Sequence, residues 1–462
     1  MTDFADASRS IDTIEELQNA VDGVVYLRGE DGIVEEVAGF NTAIVNDPSI
    51  VVGAASEADV QAAVQYAAVN SLPVRILSTG HGTETPIVNG LLITTKRLDT
   101  VTIDPAARLA TIGAGAQWGA VVAAAAEHGL APLTGAASTV GVAGYTLGGG
   151  IGPLSRTFGF TADWVRGFRL VTASGTVARI SADESPELFW ALRGGKGGFG
   201  VVTEITLELI PLETIYGGSL FFAVDDIETV LRSWLDWTQT IPDSITTSAA
   251  IMRMPPLDVV PEPLRGRTLL TVRYAFVGDA EEGARLLEPI RSAAPVYLDF
   301  VAEMPAAAIA TIHNDPGAPG PGWTRGYTLG EIDQDFLSTL LAIGGPAADI
   351  PIIMVELRKL GGAMAREPQN GGAVAGRTAG FTLFVVGVPD PGLFETVLPA
   401  VAGGIAEAVA GWMSADPITN FAGSITSEQQ LDSLWPAEMS ERLAADRRAS
   451  DPAGMFTLIA SA

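Results

Sequence analysis

Gly135 to Gly152 reads GAASTVGVAGYTLGGGIG, seven glycines in 18 positions. Side chains this small let bare backbone come close to a large ligand, and exposed peptide N–H groups can bind a pyrophosphate or the anionic edge of a cofactor ring. Val140, Val142, Leu147 and Ile151 are interleaved with the glycines, and they are apolar enough to pack. The stretch therefore reads as an ordered cradle rather than a flexible linker.

Two further glycine runs flank it. Downstream, Arg193-Gly194-Gly195-Lys196-Gly197-Gly198-Phe199-Gly200 leads directly into the β-branched run Val201-Val202-Thr203. Upstream, Gly113-Ala114-Gly115-Ala116-Gln117-Trp118-Gly119 follows a strand-like run and opens a helix, as a dinucleotide-binding turn does. A Rossmann unit would next supply a strand ending in a charged residue that grips the adenosine ribose about 20 residues on. The chain offers the loop-like Ala131 to Gly135 instead, so nicotinamide binding is disfavoured.

The surrounding pattern is α+β. Ser56-Glu57-Ala58-Asp59 resembles a capping box with Asp in place of Glu, and Val60, Val64, Ala67 and Ala68 recur at helical spacing, which predicts a helix over 57–70. Pro73 to Leu77 reads as a strand opening into Ser78-Thr79-Gly80-His81-Gly82. Strands are expected at 91–95, 100–103, 109–112, 165–174, 176–180 and 201–209, with a helix over 118–127. Beyond Pro211 amphipathic stretches such as 226–237 alternate with strand-like runs at 269–274 and 381–386, which marks a second domain. Asn314 to Gly322, rich in proline and glycine, is expected to be an exposed loop.

Composition narrows the function. The 462 residues exceed what one core usually organises, 47% of them are hydrophobic and 18% charged, and cysteine is absent. Disulfides, iron–sulfur clusters, thiolate zinc sites and cysteine nucleophiles are excluded together. With 54 acidic against 27 basic side chains, the net charge of -27 repels nucleic acid and anionic membranes. No basic leader and no apolar run of about 18 residues is present, so a cytoplasmic protein is expected. The three histidines, His81, His128 and His313, do not suggest a metal site. His128 near a helix C-terminus and His313 beside Asn314 and Asp315 read as structural.

Arg75-Ile76-Leu77-Ser78-Thr79-Gly80-His81 resembles the Arg-x-x-Ser-Gly-Gly-His loop of the vanillyl-alcohol oxidase and p-cresol methylhydroxylase superfamily, in its berberine-bridge-enzyme-like branch. Glu187 to Gly195, ELFWALRGG, is similar to that branch's acidic-Leu-Phe-Trp-Ala-Leu-Arg-Gly-Gly segment. Leu360 to Arg366, Thr419-Asn420-Phe421 and the stretch from Glu441 to Pro452 extend the similarity over nearly the whole chain. The resemblance implies an FAD-binding domain of the PCMH type over 1–212, a substrate domain of antiparallel sheet covered by helices over 213–435, and a segment over 436–462 returning to the first domain. It further implies FAD joined covalently to His81.

On the same grounds the cofactor is expected to touch Arg75, Ser78, Thr79, Gly80 and Gly82 beside His81. From the glycine cluster it would meet Ala137, Ser138, Thr139, Val140, Gly141, Gly144, Tyr145, Gly148, Gly149, Gly150 and Ile151. Gly198, Gly200, Val201, Val202 and Asn420 complete the expected set.

The departures from the family pattern carry information. Thr79 replaces a glycine, and Ala137 stands where many relatives have a cysteine that makes a second flavin bond, leaving one covalent attachment. Val140 occupies the position that gates oxygen, where valine goes with oxidases. Tyr145 replaces a frequent histidine and Gly198 a frequent asparagine. The acid that relatives carry after an Arg-containing turn is missing from 377–386, where Phe384 is its best register, and Tyr145 and Tyr327 are the hydroxyls that could serve as base instead. The expectation is an oxidase that takes hydride from a C–H of an alcohol, amine or aromatic metabolite and passes electrons to oxygen, as monomer or homodimer. A dehydrogenase with another acceptor and a flavin-binding protein without catalysis are the alternatives.

Overall fold

The computed structural model describes residues 11–82, 85–423, 425–456 and 458. Its first half holds two larger sheets and a two-stranded one that pairs Leu130–Ala131 with Ile210–Pro211. In one, Ile50–Gly53, Leu91–Thr94 and Val74–Leu77 run parallel, with Val24–Leu27 antiparallel at the edge. The interior strands are buried on both faces and accordingly read as unbroken apolar runs. The second sheet is antiparallel, with Val201–Glu208 at its centre between Leu109–Gly113 and Val165–Val171.

The helix expected over 57–70 spans Glu57–Val69, and the Ser56 hydroxyl accepts the Asp59 N–H at 3.2 Å. The second half of the supposed capping box is different. The Asp59 carboxylate is fully buried and accepts N–H groups from Asp22, Gly23 and Ala55 at 2.8–3.0 Å, outside its own helix. Burial alone would raise its pKa, but these backbone donors outweigh that and hold it below the usual value.

Residues beyond 213 form an eight-stranded antiparallel sheet. Its core face carries Leu220, Val272, Ala249, Leu357, Leu383 and Leu329, packed beneath the helices Ile227–Thr238, Ala280–Arg291, Gln334–Gly344 and Val397–Ala408. Strand alternation turns every second residue to the opposite face, which looks toward the first half. The loop at 314–322 has no helix or strand, as expected, yet it is tied down: the Asn41 side chain bonds Gly322 twice, at 2.9 and 3.1 Å, and Gly320 bridges Asn41.

The chain end returns to the first half. Helix Ala437–Ser450 buries Leu443 there, Arg447 donates to the carbonyls of Gly195 and Gly197 at 2.8 and 3.0 Å, and Val74 N–H donates to Met455 at 2.8 Å. Residues 373–375 also leave the second half to pack in that core.

Candidate active site

His81 sits where the loop after strand Val74–Leu77 faces the glycine cluster. Its Nδ1 lies 3.0 Å from Thr79 Oγ1 and its Nε2 3.1 Å from Thr139 Oγ1. Phe40 stacks on the ring with centroids 3.7 Å apart and 17° between planes. Burial pushes the imidazole from 6.5 down to about 4, so it is neutral near pH 7. Gly80 makes this turn possible, because its φ is +72° and a Cβ there would come within 2.7 Å of the Gly39 Cα. Thr79, the departure from the expected glycine, holds the two loops together: its hydroxyl accepts the Gly141 N–H at 3.1 Å.

The glycine cluster is ordered around the short helix Val142–Leu147. Its first arm, 136–140, is partly exposed and runs beside 78–82, forming a trough in an otherwise buried region. Ala137, Ser138, Thr139 and Val140 line this arm. Its backbone is fixed from behind, since Trp118 and Gly119 donate their N–H groups to the carbonyls of Val140 and Ser138 at 3.0 and 2.8 Å. The upstream dinucleotide-like turn therefore spends these helix-start donors on the neighbouring loop instead of a phosphate.

The other expected contacts fall around the trough in different ways. Ser78 donates to the Ala114 carbonyl at 3.1 Å, and Arg75 is half-buried, with burial lowering its pKa. Gly150 has φ +78°, and a Cβ there would meet the Tyr145 ring at 2.6 Å, as one on Gly135 would at 2.9 Å, whereas Gly148 and Gly149 back onto Asn420 and Val374. Asn420 uses its amide on the cluster itself: Nδ2 donates to Tyr145 O at 3.0 Å and Oδ1 accepts Gly150 N–H at 2.9 Å. It shapes the cradle rather than presenting a free amide to a ligand. Gly198 and Gly200 lie in the run gripped by Arg447, while Val201 and Val202 are core residues of the central strand.

An FAD fits this trough. Gly82 and Gly144 have open space on the side a Cβ would occupy, and the small residues along 136–140 are partly exposed. Among the described residues no group of three or more His, Cys, Asp or Glu side chains could hold a metal.

The two tyrosines do not converge. Tyr145 packs edge-on against Trp118 with centroids 5.4 Å apart, and burial pushes its hydroxyl further up from 10. Tyr327 lies on the core face of the sheet and donates to the Ala402 carbonyl at 2.8 Å, under the helices. Its hydroxyl is turned away from the trough, because residues 326 and 328 take the opposite face.

A charged cluster that the sequence reading passed over occupies that opposite face. Arg358, Ser248 and Arg273 are register partners across three adjacent strands, Ile352–Lys359, Ile245–Arg253 and Thr268–Phe276. Glu356, two residues from Arg358, is fully buried. It accepts from Ser248 Oγ at 2.8 Å, Arg273 Nη1 at 2.5 Å and Arg358 Nε at 2.8 Å. Burial opposes ionisation of Glu356, but Arg358 and Arg273 outweigh it and hold the carboxyl well below its ordinary range.

His313 follows the 3-10 helix Ala306–Ile312, which swings its ring to 3.6 Å from Glu356. Burial first, then Arg273, lowers its pKa and keeps it neutral. The acid absent from position 384 thus stands one strand away, since Phe384 is the register partner of Glu356. Its signal was present in Ile352–Lys359, IIMVELRK, an apolar strand with charge at alternate positions 356 and 358. A narrow cavity of about 30 Å³ lies between this face and Ile151 to Pro153 at the end of the glycine cluster.

Known proteins agree with this architecture. Residues 48–181 match the FAD binding domain family. Among curated proteins, the chain is 30% identical over 306 residues to an uncharacterized FAD-linked oxidoreductase, YgaK, of Bacillus subtilis, covering 65% of each. It is 37% identical over 209 residues to (R)-6-hydroxynicotine oxidase of Paenarthrobacter nicotinovorans, covering 44% of this chain and 46% of that one. The chain thus spans about half to two-thirds of the length of these relatives. The crystal structure of 6-hydroxy-D-nicotine oxidase from Arthrobacter nicotinovorans superimposes with a TM-score of 0.78 at 25% identity, over 96% of this chain and 98% of that one. Glucooligosaccharide oxidase of Acremonium strictum shares the fold, with a TM-score of 0.82 at 21% identity over 97% and 98%.

Fold and trough together define an FAD-binding protein of the PCMH type. Residues 48–181 are an FAD binding domain, and the whole chain is similar in fold to 6-hydroxy-D-nicotine oxidase and other members of the vanillyl-alcohol oxidase and p-cresol methylhydroxylase superfamily of FAD-linked oxidoreductases, which includes the berberine-bridge-enzyme-like branch.

Proposed function

We propose that the protein is an FAD-dependent oxidase that holds its cofactor covalently through His81, oxidises a small organic molecule and returns the electrons to oxygen as peroxide. The observation that carries this reading is the state of His81: a neutral imidazole, stacked on Phe40 and held between two threonine hydroxyls at the edge of a glycine trough. Only the neutral ring has a nitrogen lone pair with which to form a bond. When bound, FAD supplies the hydride acceptor. The chain's own residues bind it by backbone, fix the imidazole and close the opposite side with the polar sheet face.

Thr79 and Thr139 orient the histidine. The Thr79 hydroxyl accepts from Gly141 N–H and pairs with His81 Nδ1, while the Thr139 hydroxyl pairs with Nε2, so both ring nitrogens are held. Val140, held by its carbonyl to Trp118 N–H, supports the oxidase over the dehydrogenase through the family's use of that position. Similarity to (R)-6-hydroxynicotine oxidase supports a small molecule over a polymer. A monomer or homodimer in the cytoplasm completes the reading; among the described residues no helix is long and apolar enough to cross a membrane.

Two measurements test this. Acid precipitation should leave the yellow colour in the protein pellet, and colour released wholly to the supernatant removes the covalent assignment. After anaerobic reduction, admitted air should restore the oxidised flavin spectrum within seconds. Persistence of the reduced form over minutes would mark a dehydrogenase.

A further inference from the structure

The buried cluster on the sheet face contains more positive than negative charge. Arg273 is 3% exposed and Glu356 not at all. Arg358 is also largely buried, with its side chain 14% exposed. Two guanidiniums thus share one carboxylate, and the neighbouring His313 is neutral. One positive charge is left over. Lys359 also lines the cavity, but its amino group lies over the Phe381 ring at 4.2 Å and is paired with Glu331 at 3.9 Å, so its charge is balanced outside the cluster.

The donors of this cluster are also incompletely used. Arg273 gives Nη1 to Glu356, but its Nη2 meets only the thioether sulfurs of Met252 and Met354 at 3.9 and 4.0 Å. Sulfur of this kind is a weak acceptor and carries no counter-charge. Nδ1 of His313 is buried with no hydrogen-bond partner, and its Nε2 has only Glu356 at 3.6 Å, too far for a full hydrogen bond. A buried charge without a partner and buried polar atoms without hydrogen bonds are both costly, so their coincidence at a cavity points to a group that completes them. The cavity walls agree: Ser248, Arg273, His313 and Arg358 line one side, and Ile151 and Met364 supply apolar surface. The chain carries a net charge of -27, so this positive interior is not an extension of a basic surface.

We propose that this cavity is the anion-binding end of the substrate pocket and that it takes the oxyanion, a carboxylate or an ionised aromatic hydroxyl, of a small molecule. The oxyanion rests against Arg273 and Arg358, and His313 hydrogen-bonds a neighbouring polar group of the ligand. Glu356 aligns both guanidiniums and limits the surplus to a single charge. That the ligand is the substrate rests on the oxidase reading above; the binding preference itself does not.

Calorimetric titration of the protein as isolated, with its flavin, tests the preference with two pairs of probes: benzoate against benzamide, and acetate against acetamide for a space too narrow for a ring. At least one anion should bind ten-fold or more tightly than its neutral partner. Binding should then follow the charge of the cluster. Arg358→Gln removes the surplus and should weaken the anion at least ten-fold without changing the amide. Glu356→Gln adds to the surplus and should tighten it, and the double variant restores the surplus and should return affinity toward that of the unmodified protein.

A merely structural role for the cluster would not produce recovery in the double variant. Anions no tighter than amides in both pairs, or an affinity indifferent to this charge series, overturns the proposal. So does an Arg358→Gln protein that keeps its anion affinity but has a lower flavin reduction potential, since the surplus charge would then serve the reduced cofactor. Flavin content is read separately from the visible spectrum, so failure of the oxidase reading and failure of the anion reading are distinct results.

Discussion

His81 and His313 are both neutral imidazoles made so by burial, yet their surroundings are opposite. His81 has a hydroxyl on each nitrogen and an aromatic ring against its face, in a trough open to a large ligand. His313 has no hydrogen-bond partner on Nδ1, and its Nε2 has only Glu356 at 3.6 Å, a carboxylate clamped by two guanidiniums. The first region holds its histidine in one orientation, which supports the covalent attachment proposed above. The second leaves polar atoms unspent, as a site that exchanges ligands requires.

The largest expected effect breaks the first side of this comparison. His81→Ala should abolish covalent flavin, with all colour released on acid precipitation, while the backbone cradle still binds FAD reversibly. Retention of a covalent adduct would show that another residue makes the bond.

Next is Glu356→Ala, which leaves Arg273 and Arg358 buried without their counter-ion and should cost about 3–5 kcal/mol, read by urea unfolding at pH 7. The pH dependence follows from the same groups. The Glu356 carboxyl is held below 4.5 in the folded state, so its stabilisation is complete above 4.5 and is lost as the pH falls through the folded value. His313 is held below 6.5, so the unfolded chain takes up its proton first and stability already begins to fall below about 6.5. Stability should therefore decline in two stages on acidification. His81, held near 4, adds to the same upper stage, so His313→Gln should make that stage shallower without removing it, and an unchanged profile would contradict the assignment.

Thr79→Val sharpens the other side. It leaves the Gly141 N–H without its acceptor, a loss of about 1–3 kcal/mol, and removes the hydroxyl on His81 Nδ1. The fraction of covalently attached flavin should fall at a fixed expression time, whereas Thr79→Ser should preserve it. The smallest effect is expected from Tyr327→Phe, which loses one hydrogen bond to Ala402, about 1 kcal/mol, and should leave turnover unchanged. A large loss of turnover would mean that the sheet face has been assigned wrongly.

Elements with local signals were legible. The helix Glu57–Val69, the strand Val74–Leu77 and the loop at 314–322 all follow from short-range pattern and turn chemistry. The capping carboxylate of Asp59 misleads because its partners, Asp22 and Gly23, are more than 30 residues away. Tyr327 misleads for a related reason: a tyrosine in a strand shows a hydroxyl, but only the sheet decides which face it meets. Glu356 escaped notice because it belongs to no glycine-rich or motif-like segment, and His313 read as structural because only the tertiary fold brings it to Glu356.

By itself the sequence determined the cofactor side of this protein. Ser78 to Gly82 and Gly135 to Gly152 each build their part of the trough from contiguous residues, so the chemistry is written in short-range order. Only the tertiary structure decided the opposite side, where Ser248, Arg273, His313, Glu356 and Arg358 come from three strands and the end of a short helix. Alternation within a strand tells which residues share a face, but the pairing of strands far apart in the chain sets which faces meet, and that is a property of the whole fold.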